Sequence, residues 1–191
     1  MKVTAFNGSP RVGGNTEILL KEVLKVIEKQ GVETELVKLG GTGIKPCTAC
    51  RACQKLLNKK CVMNDDVFNE YFEKMLESDA ILLGTPTYFA GMTPELKSLI
   101  DRSGTLARCN GSLFKHKIGA GVIAQRRGGA TSVLESINYM FLMSEMIVPG
   151  STYWNFGFGG AKGEVLEDEE ALRNMRNLGE NIVWLLKKIK D

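Results

Sequence analysis

The sequence predicts an α/β fold in which one parallel sheet is doubly wound, with helices on both faces. Three observations carry that prediction. Strand-patterned and helix-patterned segments alternate along the whole chain, which calls for a parallel sheet covered on both sides. Ala80-Ile81-Leu82-Leu83-Gly84 and the run from Ile118 to Ala124 are apolar throughout, as strands buried on both faces are. The polar loops at 8–16, 85–92 and 125–129 each follow a strand, which places them at the carboxyl edge where such sheets bind ligands.

The elements follow in order. Val3 to Phe6 is a first strand, and Thr16 begins a helix after the loop that starts at Asn7. Ile18, Leu19, Leu20, Val23, Leu24, Val26 and Ile27 recur there at helical spacing, and Gly31 closes the helix. Val32 to Leu39 alternates apolar and polar residues, so it reads as a second strand and completes a βαβ unit. A cysteine-containing segment, 44–63, is inserted after it. Asn64-Asp65-Asp66 predicts a helix start with acidic first-turn residues, running to about Glu77. The strand at 80–84 comes next, and Pro94 opens a helix through about Arg102. The strand at 118–124 leads to a helix ending near Met146, and Ile147-Val148 is expected as the fifth strand. The segment 150–163 is expected to be irregular. Leu172, Met175, Leu178, Ile182, Leu185, Leu186 and Ile189 mark a final amphipathic helix. With no repeat, low-complexity tract or linker, residues 1–191 read as a single domain.

Composition narrows the function. The chain has 191 residues, 43% of them hydrophobic and 25% charged, which suits a globular domain with its own core. The net charge of +3 argues against nucleic-acid binding by charge alone. No apolar run approaches the roughly 18 residues a membrane span needs. The N-terminus turns polar at Asn7, too early for a signal peptide, so the expected location is cytoplasmic.

Gly8-Ser9-Pro10-Arg11 with Gly14-Asn15-Thr16 has the groups that bind a phosphomonoester. Ser9 and Thr16 offer hydroxyls, Asn15 an amide, and Arg11 a charge-assisted fork. The helix beginning at Thr16 would point free N–H groups and its positive end at the anion. A capped helix start would use the same residue types. No Gly-Lys-Ser/Thr follows, so this is not a Walker loop, and it lacks the G-x-G-x-x-G pattern.

The run Asn7 to Arg11 through Gly14-Asn15-Thr16 resembles the phosphate loop of the flavodoxin-like NAD(P)H-dependent FMN reductases. Thr85-Pro86-Thr87-Tyr88-Phe89 with Gly91 and Pro94 resembles their second flavin loop. The resemblance covers almost the whole chain and implies a flavodoxin-like, five-stranded sheet that binds FMN. It places the phosphate on Ser9, Arg11, Asn15 and Thr16. It places the flavin ring along Pro86, Thr87, Tyr88, Phe89 and Gly91, near Gln125, Arg126, Arg127 and Gly128. Tyr88 and Phe89 can cover an apolar ring face. Arg126 or Arg127 can supply positive charge to a reduced flavin, or serve as a solvated loop pair.

Cys47, Cys50, Cys53 and Cys61 form C-x2-C-x2-C-x7-C. Such dense spacing in a cytosolic chain points to metal or redox chemistry. A [4Fe–4S] cluster needs one thiolate per iron, and this spacing can supply them. Structural zinc and a dithiol switch remain alternatives. The pattern differs from a bacterial ferredoxin run, where three residues precede a fourth Cys followed by Pro. Together with the flavin loops it resembles the iron–sulfur flavoproteins of anaerobic archaea and bacteria. That resemblance implies that the four cysteines hold a [4Fe–4S] cluster, and that the chain forms homodimers which pair into homotetramers.

Lys45, Arg51, Lys55, Lys59 and Lys60 surround the cysteines; they read first as a solvated basic surface, and otherwise would offset thiolate charge and guide an acidic ferredoxin. Cys109 reads as an isolated structural thiol, and His116, the sole histidine, as a surface residue. Trp184 is expected on the core face or edge of the last helix, and Trp154 at a subunit interface or, as the alternative, capping a flavin. No side chain is expected to act as a proton-transfer catalyst. The leading expectation is an electron-transfer flavoprotein with FMN and a [4Fe–4S] cluster, linking a one-electron donor such as ferredoxin to a quinone, dioxygen or peroxide. The alternatives are an FMN-dependent NAD(P)H oxidoreductase without a cluster and a zinc- or disulfide-based redox sensor.

Overall fold

A computed structural model describes residues 1–190; Asp191, the last residue of the expected domain, lies outside the described residues. Five strands form one all-parallel sheet in the order β2-β1-β3-β4-β5. They are β1 (Lys2–Asn7), β2 (Glu33–Lys38), β3 (Ala80–Pro86), β4 (Ile118–Gln125) and β5 (Phe156–Phe158). The helices are α1 (Asn15–Lys29), α2 (Ala52–Leu56), α3 (Phe68–Glu77), α4 (Pro94–Cys109), α5 (Ala130–Met143) and α6 (Glu169–Lys190).

The two-residue alternation of the strands divides the core. Val3, Ala5, Ala80 and Leu82 pack with the apolar faces of α1 and α6. Phe6, Ile81, Leu83 and Ile123 pack with α3, α4 and α5 on the other side. The doubly wound parallel sheet is therefore as expected, and the strand order reverses between β1 and β3, the switch point where such folds bind ligands.

Three expectations need correction. The fifth strand is not Ile147-Val148. Ile147 makes only an isolated bridge to Ile118, and Pro149, lacking an N–H, cannot extend that ladder. The sheet edge is completed by Phe156–Phe158, inside the stretch expected to be irregular. The fourth helix runs past Arg102 to Cys109, because Leu106 and Ala107 continue its buried face. The third helix starts at Phe68. Asp66 lies just before it, and its carboxylate accepts from the Phe68 N–H at 3.1 Å.

Candidate functional site

The loop after β1 is fixed by its own backbone. The Gly8 N–H donates to Gly84 O at 2.8 Å, the Ser9 N–H to Asn7 Oδ1 at 3.0 Å, and the Gly14 N–H to Arg11 O at 3.1 Å. A Cβ on Gly40 would lie 2.3 Å from the Ser9 carbonyl carbon and 2.5 Å from Pro10 N. Only glycine lets the loop after β2 lie so close against this one. Ser9 and Thr16 are buried, and the Thr16 hydroxyl has no partner among the described residues. It stands in the first turn of α1, where backbone N–H groups also lack intrahelical acceptors. That donor set fits an anionic oxygen.

Asn15 has a role the sequence did not suggest. Its side chain donates to Ala161 O at 2.8 Å and accepts from the Gly163 N–H at 2.9 Å. The amide anchors the loop after β5 to the start of α1. Glu17, next along, is held below the usual carboxylate range by Lys21, against the effect of burial, with help from the Gly13 N–H.

The loop after β3 turns tightly. Tyr88 and Gly91 exchange two backbone hydrogen bonds of 2.8 Å each, with Phe89 and Ala90 between them at φ 47° and 58°. Left-handed phenylalanine is costly, and such strain concentrates at ligand-binding turns. Phe89 is fully exposed at the tip, and Tyr88 is about half exposed. The Thr87 N–H donates to Ala124 O at 2.8 Å, and its buried hydroxyl is unpartnered among the described residues. The loop after β4 touches this one: a Cβ on Gly129, itself at φ 93°, would lie 3.1 Å from both Ala90 Cα and Thr87 Cγ2. Gln125 is buried and closes its loop, accepting from the Ala130 N–H at 3.1 Å.

Arg11, Arg126 and Arg127 meet at a cavity of about 840 Å³, completed by Phe158 to Ala161 and the carboxylates of Glu164, Glu167 and Asp168. Arg11 donates to Gly160 O at 3.2 Å. Glu164 accepts from the Gly160 and Ala161 N–H groups, which hold its carboxyl below the usual range. So the structure brings the β1 and β4 loops together around one cavity and stacks the β3 loop against Gly129. The β5 loop was missed by sequence reading. Its available signal was the alternating Phe156-Gly157-Phe158, followed by Gly159-Gly160.

The cysteine segment is a second site. Cys47, Cys50, Cys53 and Cys61 are all free and line one cavity of about 200 Å³ with Arg51, Met63 and Arg102. Among the described residues, no three His, Cys, Asp or Glu side chains converge as a single metal ion requires. The four cysteines line the same cavity, and four thiols are the donor number that a [4Fe–4S] group takes, one per iron. Asn69 clamps Cys61 from both sides, accepting from its N–H and donating to its carbonyl at 2.9 Å each. Arg102, unnoticed in the sequence, is buried beside it and donates to the Cys61 sulfur at 3.4 Å. Lys45 is ion-paired with Asp65.

Cys109 is not isolated. Its thiol neighbours Cys53, whose own thiol is pushed up by burial and by Cys109. Trp184 lies on the exposed face of α6, contrary to expectation. Trp154 is about half exposed and packs against Tyr153 at 4.8 Å between ring centroids. His116 is exposed, as expected.

The fold is that of a flavodoxin-like protein, with the loop after β1 at the sheet's switch point. The NADPH-dependent FMN reductase family matches residues 1–161. An iron–sulfur flavoprotein of Methanocaldococcus jannaschii is 39% identical over the full length of both chains. Another, of Methanosarcina thermophila, is 37% identical over 88% of this chain and 86% of its own. The solved structure of RosB with a bound flavin intermediate covers all of this chain and 80% of its own, at a TM-score of 0.78 and 17% identity. The chain belongs to the iron–sulfur flavoproteins of the NADPH-dependent FMN reductase family, and it is an FMN-dependent oxidoreductase. No described helix is long and apolar enough to cross a membrane.

Proposed function

We propose that the protein is an electron carrier with two redox groups, FMN at the switch point and a [4Fe–4S] cluster on Cys47, Cys50, Cys53 and Cys61. The observation that carries this reading is the set of four free thiols around one cavity in an FMN-reductase fold. When bound, FMN supplies one- or two-electron chemistry and the cluster supplies single electrons, so a ferredoxin-type donor can serve a quinone, dioxygen or peroxide.

The chain's own residues bind and orient. Ser9, Arg11 and Thr16 hold the phosphate with the N–H groups of the first turn of α1, and Asn15 contributes its backbone there while its side chain anchors the 161–163 loop. Pro86, Thr87, Tyr88, Phe89 and Gly91 present backbone and ring edges to the flavin. Arg126, Arg127 and Gly128 lie exposed on the facing loop, and Gln125 sets its shape. The exposed Tyr139, Leu142 and Met143 on α5 support a homo-oligomer, with light scattering as the check. A cytoplasmic location is part of the same reading.

Iron, acid-labile sulfide and FMN counted in anaerobically purified protein test the proposal. About four iron, four sulfide and one FMN per chain are expected. FMN without iron would favour a second reading. A Bacillus subtilis relative named as a putative NAD(P)H-dependent FMN-containing oxidoreductase, 29% identical over 90% of this chain, supports that reading. Rapid bleaching of FMN by NADPH in iron-free protein would then identify a cluster-free reductase.

A further inference from the structure

Arg102 is charged and, with 1% of its side chain exposed, almost entirely buried. Burying a guanidinium costs several kcal/mol unless its charge and its N–H groups are matched. Asp66, 3% exposed, supplies the opposing charge. One terminal nitrogen donates to Lys45 O at 3.1 Å and the other to Met63 O at 3.0 Å. The group thus fastens the chain just before Cys47 to the chain just after Cys61. Its central carbon stacks over the Phe68 ring, 4.0 Å from the centroid.

Those contacts would account for a structural arginine. Two features go beyond them. The nitrogen that holds Met63 also donates to Cys61 Sγ at 3.4 Å. The Nε–H finds no acceptor among the described residues, although the residue lines the four-cysteine cavity. A thiol is a weak acceptor, whereas a thiolate or a sulfide takes a strong, charge-assisted bond. The buried donors are therefore better matched by a ligating sulfur than by a free thiol.

We infer that Arg102 is a positioning residue that raises the reduction potential of the cluster, by donating hydrogen bonds from its buried guanidinium to the Cys61 ligand side. The inference rests on the cluster reading above. Reduction adds negative charge to the cluster and its sulfurs, so a fixed N–H donor favours the reduced form. Asp66 offsets much of the arginine's net charge, and the directed bond carries most of the effect.

The test begins with iron and sulfide counts on the wild-type protein. Their absence would end the cluster reading itself, whatever Arg102 does. With the cluster present, Arg102→Gln and Arg102→Lys are titrated electrochemically, following the cluster by EPR and FMN by absorbance. At a fixed potential, the reduced-to-oxidised ratio of the cluster should fall tenfold or more in Arg102→Gln, about 59 mV for one electron. Arg102→Lys should fall between that variant and the wild type, and the FMN potential should not move. A loaded Arg102→Gln cluster within threefold of the wild-type ratio would overturn the inference and leave Arg102 a purely structural clamp. If neither variant keeps its cluster, the wild-type side chain can be probed directly. Protein grown with 15N-labelled arginine, carrying Arg51→Lys to remove the other arginine at the cavity, should show a 15N coupling at the reduced cluster. Loss of that coupling to the noise would equally overturn it.

Discussion

The loop after β1 and the cysteine segment use the chain in opposite ways. From 8 to 16 the backbone runs from a central strand into a long helix, and its only left-handed residue is Gly13, at φ 64°. From 49 to 59 the chain holds Ala49, Arg51, Leu57 and Lys59 in left-handed conformations, with only the five residues of α2 regular. Each such residue costs of order 1–3 kcal/mol. The first site is supported by the sheet and presents backbone donors. The second is irregular, presents side-chain sulfurs, and is held by a few anchors: Asn69, Asp66 and Arg102. A backbone-donor site can thus ride on the fold's own stability, while a thiol site built on strained turns needs its group and its anchors together.

This contrast can be broken most sharply at Cys50. Cys50→Ala should abolish iron binding while FMN stays near one per chain, read by metal and flavin counts. In the same variant, amide exchange should rise across 47–61 and stay unchanged across 8–16. Equal loosening of both regions would refute the separation.

The next largest effect is expected at Asp66. Burial alone would raise its carboxyl, but Arg102 and the Lys45 and Phe68 N–H groups outweigh that and hold it below the usual range. Its folded pKa therefore lies below its unfolded one. Its contribution to stability is complete above about pH 4 and is lost as the pH falls through the lower folded value. Asp66→Asn should cost about 3 kcal/mol in urea unfolding at pH 7, since it leaves a buried guanidinium unneutralised. It should also flatten the acid slope.

Smaller effects test the other region. Gly40→Ala forces a methyl into the Ser9–Pro10 backbone. It should cost about 2 kcal/mol in stability and weaken FMN binding, with iron content unchanged. Thr16→Val should leave the fold intact and weaken FMN binding about tenfold, the value of about one hydrogen bond to a charged oxygen. Isothermal titration of flavin-stripped protein would show it. An unchanged affinity would remove Thr16 from the phosphate site.

The sequence alone pointed to the doubly wound sheet, because short apolar runs at Ala80 to Gly84 and Ile118 to Ala124 alternate with helix-patterned segments, as strands buried on both faces do. It also offered Ser9, Arg11, Thr16 and the four cysteines as candidates, since local spacing determines which groups a short loop can bring together. It could not identify β5, because Ile147-Val148 is the better strand by composition and only the occupied sheet edge, with Pro149 turning the chain away, favours Phe156–Phe158. Nor could it find partners far apart along the chain. Asn15 holds Ala161 and Gly163 across the top of the sheet, Cys109 comes to rest beside Cys53, and Arg102 reaches back to Asp66 and Cys61. Local pattern governs which elements form, whereas these contacts depend on how helices pack over a finished sheet, and only the tertiary structure decides that.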